Sequence, residues 1–202
     1  MKNYACINGN KIELTDEQVA EITKIATSAS VKLSDKAVGD TFKIGNHEFI
    51  VLEQSKETTA AILKEILGAS KFSDTSCDFK TSVIKTVLEA FEEKIAGVIG
   101  ADNLITHTVD LTSNDGLKEY GTTTAKMSLL TADLYRRYVE ILDGFNTEKW
   151  WWLATPYSTP KHGYDQYVLC VAPSGRVSGD SSYYGNDGVR PFCILNSDIF
   201  VS

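Results

Sequence analysis

The sequence lacks the features that mark several large classes of protein. No apolar run in its 202 residues is long enough to cross a bilayer, and residues 1–4 carry no apolar stretch of the kind that a signal peptide needs. Lysine and arginine form no cluster, and the formal net charge is −7. Because phosphate groups are bound by basic surfaces, we expect no nucleic-acid partner and no insertion into or attachment to a membrane.

Cysteine is scarce and is not arranged for metal binding. The four cysteines, Cys6, Cys77, Cys170 and Cys193, include no C-x-x-C pair, and no histidine lies near them at metal-ligand spacing. We therefore expect four reduced, mostly buried thiols, with no metal and no other cofactor. A disulfide between Cys170 and Cys193 stays open as an alternative if the strands that carry them are neighbours.

Recognisable catalytic motifs are also missing. The sequence has no P-loop, no G-x-S-x-G elbow, no H-E-x-x-H helix and no G-x-G-x-x-G loop. His47, His107 and His162 stand far apart, and none has an obvious nucleophile beside it. Residues 180–187 hold several oxygen ligands without an Asp-x-Asp-x-Asp ladder, so a solvated turn is a better interpretation than a calcium loop. We predict no catalytic residues, although a site assembled from distant residues such as His162, Cys170 and Cys193 stays open.

The composition is that of one globular domain with a small appendage. Hydrophobic residues make up 43% of the chain and charged residues 23%, a balance that allows a sizeable core. Residues 1–30 are predicted to form a hairpin–helix arm, because Asn8-Gly9 favours a tight turn and Thr15 with Gln18 fits a capping box. Residues 31–202 are predicted to form the main domain. The arm is a candidate for homo-oligomer formation.

The middle of the chain predicts an α+β domain. A second hairpin is expected from residues 42–44 and 48–52, and a further strand from residues 103–110. Residues 79–98 and 128–142 carry apolar side chains at helical spacing and are predicted to be helices. The second helix is expected to bury Leu130, Leu134, Tyr138 and Ile141. This order of elements predicts two helices packed beside mainly antiparallel sheets of short strands.

Two bulky segments frame the last fifty-odd residues. We name Trp150–Pro156 the first anchor and Gly188–Phe192 the second anchor, and we interpret both as scaffold. Strand alternation would place the first and third tryptophans on one face and the second on the other. Arg190 is expected to bind a carboxylate or backbone carbonyls as a fixed cation.

The stretch between the anchors has the composition of a binding surface. It holds five of the nine tyrosines of the chain, and serine, glycine, asparagine and aspartate surround them. Tyrosine offers a large contact area at low entropic cost, and the small polar residues offer adaptable hydrogen bonds, as in antibody combining sites. Ordinary turns favour the same small residues, so a purely structural interpretation of this composition stays open.

The anchors also resemble those of a known group of domains. Trp150–Pro156 followed by Gly188–Phe192 is similar to the "WWLRSP … G … GVRP" pattern of uncharacterised bacterial and phage domains with a C-type-lectin-like fold, with Ala154-Thr155 in place of Arg-Ser. The same layout resembles the variable proteins of diversity-generating retroelements, in which adenine-rich codons near the C-terminus are mutated. The resemblance covers residues 38–202 and implies a C-type-lectin-like fold. The cysteine pair of the related formylglycine-generating enzymes and the calcium motifs of sugar-binding lectins are absent.

This resemblance implies a division between framework and ligand-facing positions. Trp151, Trp152, Gly175, Gly188, Arg190 and Pro191 would be framework. The candidate ligand-binding residues, within a display region of 153–192, are Tyr157, Ser158, His162, Tyr164, Asp165, Ser178, Asp180, Ser182, Tyr183, Tyr184, Asn186 and Asp187.

The sequence therefore favours a non-enzymatic recognition domain. Its expected partner is a protein or cell-surface ligand of unknown identity, and a retroelement is expected to be the source of diversity. An enzyme or accessory domain with a hidden Cys/His site and a structural phage component are the alternatives. Without a signal sequence, we expect a cytoplasmic or phage-assembled protein, and export by another route stays open.

Overall fold

The structure is a computed structural model that describes residues 3–7, 10–20 and 30–202, with residues 5–7 and 10 described by their backbone alone. The predicted N-terminal hairpin is confirmed, with β1 (Asn3–Ile7) antiparallel to β2 (Asn10–Leu14). The capping box is confirmed too, since Thr15 N donates to Gln18 Oε1 at 3.0 Å and Gln18 N donates to Thr15 Oγ1 at 3.2 Å. Residues 16–20 form the described part of helix α1. The continuation of this helix, predicted through Ala26, and the thiol of Cys6 lie outside the described residues.

Two further helices and many short strands follow. The helices are α2 (Val83–Ile99) and α3 (Ala132–Leu142). The strands are β3 (Val31–Lys32), β4 (Thr41–Ile44), β5 (His47–Gln54), β6 (Thr58–Leu63), β7 (Gly68–Ala69), β8 (Leu104–Ile105), β9 (His107–Asp110), β10 (Thr122–Ala125), β11 (Met127–Ser128), β12 (Trp151–Pro156), β13 (Tyr167–Val171), β14 (Val177–Ser181), β15 (Gly188–Val189), β16 (Phe192–Asn196) and β17 (Phe200–Val201). None of the helices in the described segments is long and apolar enough to span a membrane.

Two sheets dominate the domain. One has the order β11-β16-β6-β5-β4, with β8 also pairing with β16, and the other has the order β14-β13-β12-β15-β7. Within the described pairs all ladders are antiparallel except β12 with β15. The mixed α+β class with mainly antiparallel strands is therefore confirmed. The predicted hairpin of residues 42–44 and 48–52 is confirmed as β4 and β5.

The two predicted helices differ from expectation at their starts. Helix α2 begins at Val83 because Ser82 caps it by accepting from Lys85 N at 3.1 Å, and the preceding Phe79–Thr81 forms a 3-10 turn. Helix α3 begins after its cap Thr131, so the prediction from residue 128 was wrong by one turn. Residues 127–128 form β11 instead, where pairing with β16 supplies their backbone hydrogen bonds.

The buried face of α3 also differs. Ala132, Tyr135, Tyr138 and Leu142 are buried, whereas the expected Leu134 and Ile141 are only partly buried. Tyrosine could take core positions because each hydroxyl finds an acceptor: Tyr135 donates to Gly175 O and Tyr138 to Glu53 Oε2, both at 2.6 Å.

Strand β12 separates two cores. Trp152 packs on one face with Phe72, Val168 and Cys170, and Trp151 packs on the other with Tyr135 and Leu169. The predicted alternation of the tryptophans is therefore confirmed. Cys77, Cys170 and Cys193 are free and buried, as expected, and Cys170 in β13 lies in a different sheet from Cys193 in β16. The alternative of a Cys170–Cys193 disulfide is contradicted.

Candidate binding surface

Arg190 ties the second anchor to the rest of the domain. Its Nε donates to Leu63 O at 2.9 Å, and its Nη2 donates to Lys64 O at 3.0 Å and to Phe145 O at 3.1 Å. The guanidinium also lies 5.2 Å from the ring centroid of Trp151. Burial lowers the pKa of Arg190 to about 10, which leaves it charged at neutral pH. The sequence prediction of a fixed cation bound to backbone carbonyls is confirmed.

Close packing explains two framework glycines. A Cβ at Gly188 would lie 2.5 Å from Ile66 Cγ2, so only glycine fits without a shift of this side chain. Gly175 has φ +77°, a left-handed conformation that favours glycine, and a Cβ there would approach Asp143 Oδ1 to 3.0 Å. Gly175 shapes the turn between β13 and β14, and Gly188 allows close packing at the start of the second anchor.

Three tyrosines meet on the surface between the anchors. Tyr157, Tyr164 and Tyr167 lie with their ring centroids 6.1 to 6.4 Å apart, and we name them the tyrosine cluster. Each ring is roughly half exposed, with exposed fractions of 43%, 53% and 41%. Tyr157 and Tyr164 are candidates from the sequence. Tyr167 is not among those candidates, and it begins a strand whose other residues are buried.

The backbone positions the tyrosine cluster from two sides. Tyr157 N donates to Tyr167 O at 2.9 Å, which joins the end of β12 to the start of β13. The ring of Tyr157 covers Gly179 in β14, where an added Cβ would lie 2.9 Å from Tyr157 Cδ2. Tyr164 N donates to Thr159 O at 3.3 Å and closes the intervening loop. Gly179 therefore leaves room for the ring of Tyr157, a role that composition alone does not reveal.

A single carboxylate organises the loop that carries Tyr157. Asp115 accepts hydrogen bonds from Ser113 Oγ and Ser158 Oγ, both at 2.5 Å, and its Oδ2 lies 2.9 Å from His162 Nδ1. These bonds, that of Ser113 first, hold the pKa of Asp115 far below its usual range. Ser158 is buried, so its assignment as ligand-facing is corrected: its hydroxyl points to Asp115 and supports the loop. His162 is exposed, as a ligand contact requires.

A second exposed pair of tyrosines lies on the turn after β14. Tyr183 and Tyr184 pack edge to face with their centroids 5.1 Å apart, and they are 48% and 51% exposed. The turn is held by backbone bonds to the segment before α2: Phe72 N and Ser73 N both donate to Ser182 O, at 2.8 and 3.0 Å. The side chains of this turn are therefore displayed on a backbone that is fixed at its start.

Two other candidates in this turn point inward. Ser182 and Asp187 are buried, with exposed fractions of 1% and 4%, so their assignment as ligand-facing is also corrected. Burial, with the nearby charge of Asp180 next in size, raises the pKa of Asp187 to about 6, and a hydrogen bond from Cys170 offsets part of this shift. Ser182 Oγ and Asp187 Oδ2 have no hydrogen-bond partner among the described residues.

The register of β13 with β14 places the two candidates in β14, Ser178 and Asp180, on the face opposite the tyrosine cluster. Tyr167 pairs with Ser181 and Leu169 with Gly179, which places them on the face of the tyrosine cluster. Ser178 and Asp180 pair with Cys170 and Val168, so they lie on the opposite face. The twelve candidates therefore fall into three groups. The exposed ones are Tyr157, His162, Tyr164, Tyr183, Tyr184 and Asn186, the half-buried ones Asp165, Ser178 and Asp180, and the buried ones Ser158, Ser182 and Asp187.

The described residues offer no assembled metal site or reactive thiol. No group of three or more histidine, cysteine, aspartate or glutamate side chains in the described segments could hold a metal ion. Burial raises the pKa of the thiols of Cys77, Cys170 and Cys193, which disfavours the thiolate that a nucleophile needs. His107 lies in β9, as predicted for a strand, whereas His47 begins β5 rather than lying in a turn.

Comparison with known proteins gives one family. The family model described as "Domain of unknown function (DUF6273)" matches residues 77–197, which include α2, α3, both anchors and the display region. No curated protein and no solved structure matches the chain.

Proposed function

This chain belongs to the DUF6273 family, a family defined by a domain of unknown function, and we propose that it is a non-enzymatic recognition domain. It binds a protein or cell-surface ligand through the exposed side chains between the two anchors. The observation that carries the proposal is the exposure of five tyrosines, each 41–53% accessible, on a backbone fixed by buried Trp151, Trp152 and Arg190.

The exposure of these five tyrosines reduces what their rings contribute to the stability of the fold. Burying a large aromatic side chain contributes about 1.5–3 kcal/mol to folding, and these five rings forgo about half of that contribution. Contacts among the rings cover part of each ring, and about half of its surface stays exposed. Tyrosine is enriched where a protein surface is buried by a partner, because its rigid ring gives contact area and its hydroxyl keeps the free surface soluble.

The fold proposal is that of a C-type-lectin-like domain. The Trp-Trp-Leu and Gly-Val-Arg-Pro sequences support it, together with a sheet of short strands that brings both anchors together through the parallel pairing of β12 with β15. Diversification by a retroelement is part of the same proposal. It requires a near-identical template repeat, differing at adenines, and a reverse-transcriptase gene beside the coding region, and a neighbourhood without them would refute this part.

The binding proposal is tested by comparing two versions of the chain as affinity baits. The wild-type domain and the Tyr183→Ala/Tyr184→Ala variant are immobilised and exposed to the same cell-surface extract. Proteins enriched on the wild type alone are then purified, and their binding to both baits is measured in a binary assay. We expect the variant to lose binding by at least about tenfold, since truncating one central interface tyrosine costs on the order of 2 kcal/mol.

Stability measurements separate this result from unfolding. Because both rings are about half exposed, we expect the melting temperature of the variant to lie within a few degrees of that of the wild type. Tyr135→Ala serves as the matched control, because this tyrosine is buried against Trp151 and its loss should destabilise the domain by about 3–5 kcal/mol. A double variant that melts as Tyr135→Ala does, or that binds as the wild type does, would contradict the proposal.

A further inference from the structure

The tyrosine cluster points to a ligand of a particular charge, an inference that rests on the recognition role proposed above. We propose that Tyr157, Tyr164 and Tyr167 together bind a cationic side chain of a partner protein, an ammonium or guanidinium group presented by lysine or arginine.

The geometry of the three rings suits a single positive group. Their centroids are 6.1, 6.4 and 6.2 Å apart, close to an equilateral triangle, and the ring planes are inclined to one another by 56–63°. Aromatic faces carry partial negative charge, and a cation within about 6 Å of a ring centroid is attracted to it. A group resting over the centre of this triangle satisfies that distance for all three rings at once.

The cluster holds no cation of its own within the described part of the chain. Four other aromatic rings already have one: Lys11 lies over Tyr4, Arg137 over Tyr138, Arg176 over Trp150 and Arg190 over Trp151. No lysine or arginine of the described segments lies over Tyr157, Tyr164 or Tyr167. An external cation would therefore take the position over the tyrosine cluster that a lysine or arginine of the chain takes over the four other rings.

Carboxylates lie in and beside the loop that carries Tyr157 and Tyr164. Asp165 follows Tyr164 directly, Glu119 Oε2 accepts from Lys161 N at 3.3 Å, and Asp115 holds His162. Lys161 is the lysine of this loop, and the whole chain carries a net charge of −7. These carboxylates and the net negative charge favour a cationic ligand over an anionic one, and they increase the rate at which a cationic partner meets the surface. A neutral ring such as a sugar would stack on the tyrosines without any benefit from these charges.

Two peptides that differ in charge alone test the proposal. Acetyl-Gly-Arg-Gly-amide and its citrulline counterpart have nearly the same shape, and only the first is cationic. Each is titrated into the full chain while the NMR signals of the tyrosine rings are followed. We expect the arginine peptide to bind wild type on the order of fivefold more tightly than the citrulline peptide.

Matched variants test whether the preference for the arginine peptide depends on the tyrosine cluster. Tyr164 is the most exposed ring of the cluster, so Tyr164→Leu should fold normally and lose the preference for arginine, whereas Tyr164→Phe keeps the aromatic face and should keep the preference. Phe200→Leu changes an exposed ring in β17, outside the region between the anchors, and should also keep it. Melting curves confirm that each variant is folded.

The outcomes distinguish this inference from the recognition role. Equal binding of the two peptides by wild type, no binding of the arginine peptide, or an unchanged preference in Tyr164→Leu would each overturn the cation proposal. The recognition role would fail separately, if the Tyr183→Ala/Tyr184→Ala bait retained every partner of the wild type.

Discussion

Gly179 controls the tyrosine cluster through its size. A Cβ at this position would lie 2.9 Å from Tyr157 Cδ2, and the atom in the way belongs to a half-exposed side chain that can move outward. We therefore expect Gly179→Ala to displace the ring of Tyr157 and disrupt the cluster while changing the free energy of unfolding by less than about 1 kcal/mol. Chemical shifts of the tyrosine rings and a urea titration measure the two effects.

Gly68→Ala is the matched control for this change. Gly68 also lies in a strand, and no atom outside its chain neighbours lies within 4 Å of the position of an added Cβ. The signals of Tyr157, Tyr164 and Tyr167 should stay unchanged in the control. Unchanged signals in Gly179→Ala as well would show that the ring of Tyr157 does not rest on this glycine.

Asp187 makes the stability of the domain depend on pH. Its pKa is raised to about 6 in the folded chain, above the value of about 3.9 in an unfolded one, so the folded state binds the proton more tightly. Stability from this residue is present below pH 4 and is lost as the pH rises to 6. A difference of two pKa units corresponds to at most about 3 kcal/mol in the free energy of unfolding. Asp187→Asn should therefore increase the free energy of unfolding more at pH 7 than at pH 4.

Urea unfolding of the wild type and of Asp187→Asn between pH 4 and pH 8 measures how the stability gained by the substitution depends on pH. The gain from Asp187→Asn should grow between pH 4 and pH 6 and level off above. Asp115 affects a separate range, because its lowered pKa makes stability fall only as the pH drops below about 4. A gain from Asp187→Asn that does not change with pH would contradict the burial of an ionisable carboxyl at this position.

Arg190 ties the second anchor to the end of β6 and to Phe145. Its side chain donates to three backbone carbonyls from two separate segments, and its exposed fraction is 1%. Arg190→Met would leave these carbonyls without the donor, so we expect a loss of at least about 3 kcal/mol in the free energy of unfolding. Chemical denaturation measures it.

Arg176→Met provides the control for loss of a cation above a tryptophan. Arg176 is exposed and lies 5.3 Å from the centroid of Trp150, so its replacement should cost less than about 1 kcal/mol. Equal losses in the two variants would show that the carbonyl contacts of Arg190 add nothing to the stability of the anchor.

Elements with a strong local signal could be predicted from the sequence. The hairpin of β4 and β5 and the alternation of Trp151 and Trp152 follow from turn chemistry and strand geometry. The predicted start of helix α3 is one turn too early because Leu130 continues its apolar spacing. The competing backbone partner, β16, lies more than sixty residues away in the sequence, and no local pattern reveals such a pairing.

The candidate site was predictable in its aromatic part and not in its polar part. Exposed tyrosines stand out by composition. Composition does not show whether a serine or aspartate faces a ligand or a buried partner. Ser158 supports the loop because Asp115, 43 residues earlier, accepts its hydrogen bond. Gly179 was missed for a similar reason, since its role depends on the ring that covers it.

The domain as a unit keeps its thiols away from solvent. Cys77, Cys170 and Cys193 are buried, and burial raises the pKa of each. We expect all three to react slowly with a disulfide reagent at pH 7 and rapidly once the chain is unfolded in urea. Labelling followed by peptide mapping measures the rate at each cysteine. One described thiol reacting much faster than the others in the native protein would instead favour the hidden Cys/His site.

The central claim is that a fixed framework displays side chains that can change without loss of the fold. It is tested most directly by two libraries of the full chain. One randomises the exposed positions Tyr157, Tyr164, Tyr183, Tyr184 and Asn186, and the other randomises the buried positions Ser158, Ser182 and Asp187 of the same region. The measurement is the fraction of each library that resists proteolysis. A large resistant fraction in the exposed library and a small one in the buried library is the predicted result, and equal losses in both would contradict the account.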